Sequence, residues 1–384
     1  MLANRSETSL MDAACRKTGL SDWGNEDFLI PLQILIESYR KDARLNHSGW
    51  IRNHELIIHH LCNRLLIQNT INSYPEIRQE QIHHPLFIVG MPRTGTTFLH
   101  RLISQDPSNR SPLFWETRNP APPPDIRTYD TDPRIEHTNN HIKNLHKATP
   151  ELPSIHLLDA RVPEECMLLL ANNFVSTFFR LFATIPQYMK WLYQQDMIPT
   201  YRYHREQIKI LQFRYPTCRW VLKAPEHMFA MQALLSIYPD ACIVQTHRDL
   251  YQSIPSLCSL LSVNRKSCSD DLDRTDIGKE SLYTMKTWTD MCLQARKTIA
   301  ATSIFDLRYE DLIRDPIGMV RNIYDYFGYQ FETVFEKRMC EYLAVNRQHK
   351  HGVHKYSLEQ FGLTVDMVNR TFQTYCDRFK ISHE

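Results

Sequence analysis

Residues 83–107 (HHPLFIVGMPRTGTTFLHRLISQDP) constrain the fold more than any other part of the chain. Residues 86–89 predict a short buried strand, a glycine-containing loop follows, and a helix is expected from about Phe98. Glycines allow backbone amides to turn toward an anion, and the following helix presents the positive end of its dipole to the same point. A strand, loop and helix in this order predict a phosphate-binding α/β unit.

The loop of residues 90–97 (GMPRTGTT) nearly matches the nucleotide-binding pattern G-x-x-x-x-G-K-[ST]. Thr96 stands where that pattern has lysine, so Arg93 supplies the positive charge of the loop. A nucleoside triphosphatase would thereby lose its main contact to the transferring phosphate. The shorter chain of an adenosine 5′-phosphosulfate needs neither that lysine nor a metal. A glycine loop that only turns the chain is the structural alternative.

Three further strand patterns follow along the chain, at residues 220–222, at residues 242–246 and in TSIFDLRYEDL. A helical pattern follows each of them, the last in VRNIYDYFG. Alternating strands and helices predict an α/β fold with a mostly parallel central sheet and helices on both faces. Ligands of such sheets bind outside the carboxyl ends of the strands, where the connecting loops gather.

The remaining segments predict helices and one loop. Residues 1–82 have the apolar spacing of amphipathic helices, and we expect a helical extension packed on a catalytic domain of residues 83–384. Residues 118–135 are proline-rich and predict an ordered surface loop, with a helix over about residues 134–147. Residues 164–191 are apolar around most of a helix circumference, which predicts a buried core helix; an acceptor-pocket wall and a membrane-surface contact are the alternatives.

Charge and cysteine content limit the partners and the compartment. With 45 Lys and Arg against 43 Asp and Glu, the net charge of +2 lacks the basic excess of a nucleic-acid-binding protein. The ten cysteines form no C-x-x-C pair, which favours reduced thiols. Because no apolar leader and no run of 18 apolar residues is visible, we expect a cytoplasmic protein that does not span a membrane.

Three segments resemble the sulfotransferase superfamily, in particular its bacterial-type sulfotransferase family: PRTGTT, HRDLYQSIPS and RYEDL. The resemblance extends over about residues 84–364 and implies a P-loop-like three-layer fold. It also implies 3′-phosphoadenosine 5′-phosphosulfate as co-substrate, with no metal. The loop residues that it implies around the 5′-phosphate and the sulfate are Arg93, Thr94, Gly95, Thr96 and Thr97.

The resemblance implies further cofactor contacts outside the loop. Arg248 and Ser256 match the 3′-phosphate site, and Tyr309 matches a tyrosine beside the adenine. An arginine that follows an apolar strand also suits phosphate capture by charge-assisted hydrogen bonds, although a salt bridge of Arg248 to an acid and a core position for Tyr309 stay open. In the basic stretch 347–355, Lys350 and Gly352 resemble by position the loop that closes over the cofactor, without its R-K-G order; a solvated charge run is the alternative.

Sulfuryl transfer needs a base for the acceptor's proton, cations for the charge developing on the leaving phosphate, and in-line geometry. Glu116, in SPLFWETRN, is the candidate base, because aromatic neighbours would desolvate its carboxylate and make it more basic. A surface glutamate paired with Arg118 is the structural alternative. His227, in LKAPEH, is the rival: cytosolic sulfotransferases have a K-x-H arrangement in this strand, but Pro225 occupies the equivalent place here. Lys223 and Arg93 are the candidate cations, since a lysine that ends a buried strand needs an anionic partner.

Two other classes of function share parts of this pattern. An ATP-dependent phosphotransferase would need the missing loop lysine and an aspartate that holds magnesium, for which Asp249 is a candidate. A nucleotide-binding protein without catalysis would keep only the fold. A metal enzyme is disfavoured, because the helical pair His137 and His141 lacks the glutamate of H-E-x-x-H.

The acceptor is predicted from the aromatic residues in the apolar segment 164–191. These residues are Phe174, Phe178, Phe179 and Phe182. They favour a hydroxyl on a small, apolar or lipid-like molecule, and they leave peripheral membrane contact open. A polysaccharide would instead require a cleft lined with Lys and Arg.

Overall fold

The computed structural model describes residues 6–155, 158–346 and 357–381, and the chain forms two compact units. The helical unit comprises Met1–Gln81, Leu113–Pro216 and Leu260–Leu272. The sheet unit comprises Ile82–Pro112, Thr217–Ser259 and Asp273–Glu384. The division into an extension of residues 1–82 and a catalytic domain of residues 83–384 stays a prediction.

The regular elements of the described residues are mostly helices. In chain order the α-helices are α1 (Glu7–Thr18), α2 (Leu29–Lys41), α3 (His47–Ser73), α4 (Thr96–Ile103), α5 (Phe114–Arg118), α6 (Pro133–Ala148), α7 (Leu152–Ile155), α8 (Met167–Ala171), α9 (Pro186–Leu192), α10 (Ile198–Gln212), α11 (Met231–Ile237), α12 (Leu250–Lys266), α13 (Arg274–Ala295), α14 (Tyr309–Arg314), α15 (Pro316–Phe327), α16 (Thr333–Val345) and α17 (Val365–Phe379). The strands are β1 (Leu86–Gly90), β2 (Asn109–Arg110), β3 (Arg219–Lys223), β4 (Cys242–His247) and β5 (Ile304–Arg308).

The five strands form one parallel sheet in the order β2-β3-β1-β4-β5. The last pairs of the register place Gly90 opposite Thr246 and His247 opposite Arg308. This sheet confirms the predicted parallel arrangement. Strand β2 was not predicted, because two polar residues carry no alternation that a sequence pattern can detect.

Helices cover both faces of the sheet. Leu86, Ile88 and Val244 pack in one apolar cluster with Leu99 of α4 and Val320 of α15. The side chain of Phe87 points to the opposite face, as alternation along a strand requires, and its ring contacts Tyr238 at 5.2 Å between centroids. The predicted three-layer α/β fold is therefore confirmed.

The helical unit confirms the predicted N-terminal helices and the helix after the proline-rich loop. Asn46 caps α3 by accepting a hydrogen bond from the Gly49 amide, and Asp132 caps α6, in which Pro133 is the first residue. Both proline and a side-chain acceptor fit a helix start, where the first amides lack intrahelical partners.

The single helix predicted within residues 164–191 is wrong. The segment forms α8, a 3₁₀ turn at Thr177–Leu181 and α9. The chain breaks at Phe174, whose φ is +56°, and restarts where Ser176 caps the 3₁₀ turn. The Tyr188 hydroxyl donates to the Phe174 carbonyl at 2.9 Å and thereby holds the break. Apolarity alone did not reveal it, because the pieces are buried like a core helix.

Within the described ranges, none of the helices has both the length and the apolarity to cross a bilayer.

Candidate active site at the strand ends

The loop between β1 and α4 has a conformation that its two glycines permit. Gly90 has a φ of +150°, and Gly95, at the start of α4, has a φ of +89°. A Cβ atom on Gly90 would lie 2.3 Å from Thr246 Oγ1, and one on Gly95 would lie 2.8 Å from a ring carbon of Tyr309. The loop therefore passes directly against β4 and the Tyr309 ring, where only glycine fits.

Threonine hydroxyls fix this loop to the sheet. Thr94 Oγ1 donates to the Met91 carbonyl at 2.7 Å and lies 2.6 Å from Thr246 Oγ1. Thr94 is fully buried, and Thr96, the first residue of α4, is 4% exposed. The amides at the start of an eight-residue helix such as α4 lack intrahelical acceptors, so the loop directs positive partial charge outward.

Two arginines meet above the loop. Arg93 Nε donates to Ser256 Oγ at 3.0 Å, and an Arg248 Nη1 donates to the Arg93 carbonyl at 2.9 Å. The Arg248 guanidinium also lies over the Tyr309 ring, 4.1 Å from its centroid. The structure thus brings together four predicted cofactor residues from distant parts of the sequence.

Lys223 joins this group from β3. It is the last residue of that strand, it is 1% exposed, and its Nζ donates to Thr97 Oγ1 at 3.3 Å. Since parallel strands end at the same edge, Lys223 and the loop after β1 lie at the carboxyl edge predicted for the ligand.

The two candidate bases lie in different environments. His227 belongs to a 3₁₀ turn (Pro225–Phe229), is fully buried, and packs edge-on against Phe87 at 5.2 Å. Glu116 lies in the helical unit as the third residue of α5, is also fully buried, and accepts a hydrogen bond from the Leu113 amide at 2.8 Å. The alternative of a surface glutamate is therefore wrong, and the choice of base stays a prediction.

Of the remaining candidate residues, the structure describes Asp249 but not the two in the basic stretch. Asp249 accepts a hydrogen bond from the Tyr251 amide at 3.0 Å, as a residue at the start of α12 does. Lys350 and Gly352 lie outside the described residues. Among the residues that the structure describes, no group of three or more His, Cys, Asp or Glu side chains has the arrangement of a metal site.

A buried cluster next to Arg248 was not predicted. His247 Nε2 lies 2.9 Å from Asp306 Oδ1, its Nδ1 lies 2.8 Å from the Tyr375 hydroxyl, and Phe379 stacks on the ring at 4.1 Å. Burial lowers the pKa of His247, so the neutral ring donates from Nε2 to Asp306 and accepts from Tyr375. Tyr375 and Phe379 come from α17, more than a hundred residues along the chain, and no local pattern links them to His247.

Asp306 is the anionic member of this cluster. Arg296 donates to both of its carboxylate oxygens, at 2.6 and 2.7 Å. Burial acts to raise the pKa of Asp306, but the hydrogen bonds from His247 and Arg296 outweigh it and hold that pKa below its ordinary value. The Asp306 side chain stays 40% exposed, and its charge is matched by Arg296 inside the sheet unit.

Comparison with known proteins gives a consistent result. The model of the sulfotransferase family matches residues 85–333. The omega-hydroxy-beta-dihydromenaquinone-9 sulfotransferase Stf3 of Mycobacterium bovis is 28% identical over 294 residues, which is 72% of this chain and 71% of that protein. The Mycobacterium tuberculosis protein of the same name matches to the same extent.

Two solved structures are similar over almost the whole chain. The sulfotransferase STF1 of Mycobacterium tuberculosis H37Rv is 32% identical with a TM-score of 0.88, covering 97% of this chain and 100% of its own. The sulfotransferase STF9 of Mycobacterium avium is 30% identical with a TM-score of 0.91, covering 99% of this chain and 98% of its own. Both share the helical and the sheet segments with this chain.

Proposed function

The chain belongs to the sulfotransferase family, and we propose that this sulfotransferase uses 3′-phosphoadenosine 5′-phosphosulfate to sulfate a hydroxyl on a small, apolar or lipid-like acceptor. The observation that carries the proposal is the convergence of Arg93, Arg248 and Lys223 on one edge of the parallel sheet. Three cations and the start of α4 match a ligand with separate 5′ and 3′ anionic groups.

The residues at the strand ends fit such a donor by their chemistry. Arg93, the backbone of Gly95 and the hydroxyls of Thr96 and Thr97 would hold the 5′ side, with Thr94 shaping the loop. Arg248 and Ser256 would hold the 3′-phosphate, and the Tyr309 ring offers an apolar face for the adenine. When bound, the donor supplies an activated sulfuryl group that requires no metal to leave.

The proposed catalytic roles are those of a general base and of two cations that stabilise the leaving group. Glu116 would accept the acceptor's proton, and Lys223 together with Arg93 would stabilise negative charge on the leaving phosphate. Lys350 and Gly352 would complete the cofactor site from the basic stretch.

The proposals for the acceptor and for the cellular compartment have indirect support. The name of the relative Stf3 describes a hydroxylated dihydromenaquinone, which is a lipid-like alcohol. The half-buried rings of Phe178 and Phe182 suit an apolar skeleton, and such an acceptor can be reached by peripheral contact with a membrane. All ten cysteines, each within the described residues, are free thiols, which supports a cytoplasmic location.

Calorimetry with adenosine 3′,5′-bisphosphate and with ATP, both without magnesium, tests the donor class. We expect binding of the bisphosphate and little binding of ATP; the reverse preference would replace the proposal by a phosphotransferase. Transfer of labelled sulfate to apolar alcohols, phenols, amines and sugar polymers then tests the acceptor. Binding of the donor without transfer to any of them would support a nucleotide-binding protein instead.

A further inference from the structure

We propose that the acceptor carries an anionic group, best matched by a carboxylate, which binds beside Arg118, Arg52 and His141 in the helical unit. This inference rests on the proposed function, because it assumes that the helical unit receives the acceptor. It adds a second recognition element to the hydroxyl and the apolar skeleton.

The backbone of Arg118 is hydrogen-bonded, whereas its buried Nε has no partner among the described residues. Its carbonyl accepts a hydrogen bond from Asn63 Nδ2 at 2.8 Å and lies 2.9 Å from His59 Nε2. The guanidinium Nε is buried and makes no hydrogen bond within the described residues. Burial lowers the pKa of Arg118 to about 10, and no carboxylate among those residues offsets the effect.

Further basic groups surround this arginine. The Arg52 guanidinium lies 4.3 Å from the Phe182 centroid and donates to Ser267 Oγ at 3.0 Å. Burial, followed by repulsion from Arg118 and Arg52, lowers the pKa of His141 to about 3. Burial and the same Arg118 also lower the pKa of His59. Arg118 thus acts on both histidines and Arg52 acts on His141, so positive charge is concentrated around Arg118.

Within the helical unit, the segments outside the described ranges add no acid that could balance this positive charge. Residues 1–5 and 156–157 contain no Asp or Glu. A buried charge without a partner costs several kcal/mol, so a ligand anion would relieve a penalty already present in the fold. The planar fork of an arginine matches a carboxylate with two parallel hydrogen bonds.

Aromatic rings lie next to the cations. Phe182 contacts both Arg52 and Phe178, the latter at 5.4 Å between centroids, and Phe178 contacts His60 at 5.9 Å. Phe178 and Phe182 are half-buried, which leaves part of each ring open to a ligand. Polar donors are also present, since buried Asn119 Nδ2 and Thr138 Oγ1 have no partner among the described residues. Rings, donors and uncompensated cations together favour an apolar hydroxy acid.

The direct test is calorimetric binding of ω-hydroxydodecanoate, its methyl ester and dodecane-diol to the full chain. We expect the carboxylate to bind at least about tenfold more tightly than the other two, the effect of one charge-assisted hydrogen bond. Arg118→Met should abolish this preference and leave ester affinity unchanged. Arg127→Met removes an exposed arginine that already pairs with Asp125, and it should change nothing.

Two results would overturn the inference: equal affinity for the three probes, or a preference that survives in Arg118→Met. If Arg118→Met does not fold, Arg118→Lys keeps the charge and loses the fork, and a reduced preference is then expected. Because binding is measured without the donor, the absence of sulfate transfer would count against the proposed function alone.

Discussion

The strand-end cations of the sheet unit and two basic side chains of the helical unit differ in their hydrogen bonding. At the strand ends, Arg93, Arg248 and Lys223 each donate to a neighbour within the unit. In the helical unit, Arg118 Nε and His60 Nε2 are buried without hydrogen-bond partners among the described residues. The first arrangement holds its cations in fixed positions, as preorganised ligand sites do. The second leaves buried polar groups with an uncompensated cost, on which the proposed anion contact is based.

The largest expected effect tests the proposed base in the helical unit. Glu116→Gln should bind adenosine 3′,5′-bisphosphate normally and lose about 10²–10⁴-fold in turnover, because the amide cannot accept a proton. The glutamine oxygen can still accept the Leu113 amide hydrogen bond, so α5 should persist. Single-turnover sulfate transfer measures the loss.

His227→Gln is the matched comparison for the base, since it keeps a polar side chain of similar size in the sheet unit. We expect a much smaller loss of turnover. The opposite ranking of the two variants would assign the base to His227.

The second prediction concerns the preorganised arginines. Arg248→Ala should weaken binding of adenosine 3′,5′-bisphosphate by about 1.5–3 kcal/mol, the scale of a charge-assisted hydrogen bond, and leave adenosine 5′-monophosphate binding almost unchanged. Calorimetry with both ligands gives the two values. Equal losses would mean that Arg248 acts only through its hydrogen bond to the Arg93 carbonyl.

The third prediction is that a fall in pH destabilises the helical unit more than the sheet unit. Burial lowers the pKa of His60 to about 4 and that of His204 to about 3, both in the helical unit. The unfolded chain binds these protons near pH 6.5, so their stabilising contribution is complete above that pH and is lost as the pH falls. At pH 5.5 the loss is about 1.4 kcal/mol for each histidine.

Amide hydrogen exchange at pH 7.5 and 5.5 measures this difference. Helices α3 and α10, which carry these histidines, should lose more protection than β1, which contains no histidine. His204→Gln should reduce the pH dependence of α10. Equal loss of protection in both units would contradict the assignment of acid sensitivity to the helical unit.

The smallest effect is expected at the cluster beside Arg248. Tyr375→Phe removes a buried hydroxyl that is hydrogen-bonded to His247. Tyr324→Phe removes a buried hydroxyl that donates to Asp106 at 2.7 Å. Each should lower the free energy of unfolding by about 1 kcal/mol. Only Tyr375→Phe should also weaken binding of the bisphosphate, by about threefold, because His247 directly precedes Arg248. A threefold loss in both variants would show a general effect of destabilisation.

Features with a local sequence pattern were predicted, whereas features that depend on tertiary packing were not. The α/β fold and four of its five strands were predictable, because β1, β3, β4 and β5 each contain a short apolar run. The broken segment around Phe174 was not, since its turns depend on the Tyr188 hydroxyl and on packing. Arg118 was considered in the sequence only as a partner for Glu116. Nothing in its neighbours revealed that its buried side chain would have no acidic partner among the described residues.

The contact between Gly95 and the Tyr309 ring has a consequence for how the enzyme folds. The loop and α4 are local and can form early, but their final shape depends on a ring that follows β5, the edge strand. Contacts between residues so distant in the chain are slow to form, because the intervening chain must lose conformational entropy before the contact is made. A growing chain that ends before β5 therefore already contains the glycine loop but has no completed anion site. Such a chain is expected to emerge from synthesis unable to retain the proposed donor nucleotide until its last strand has paired.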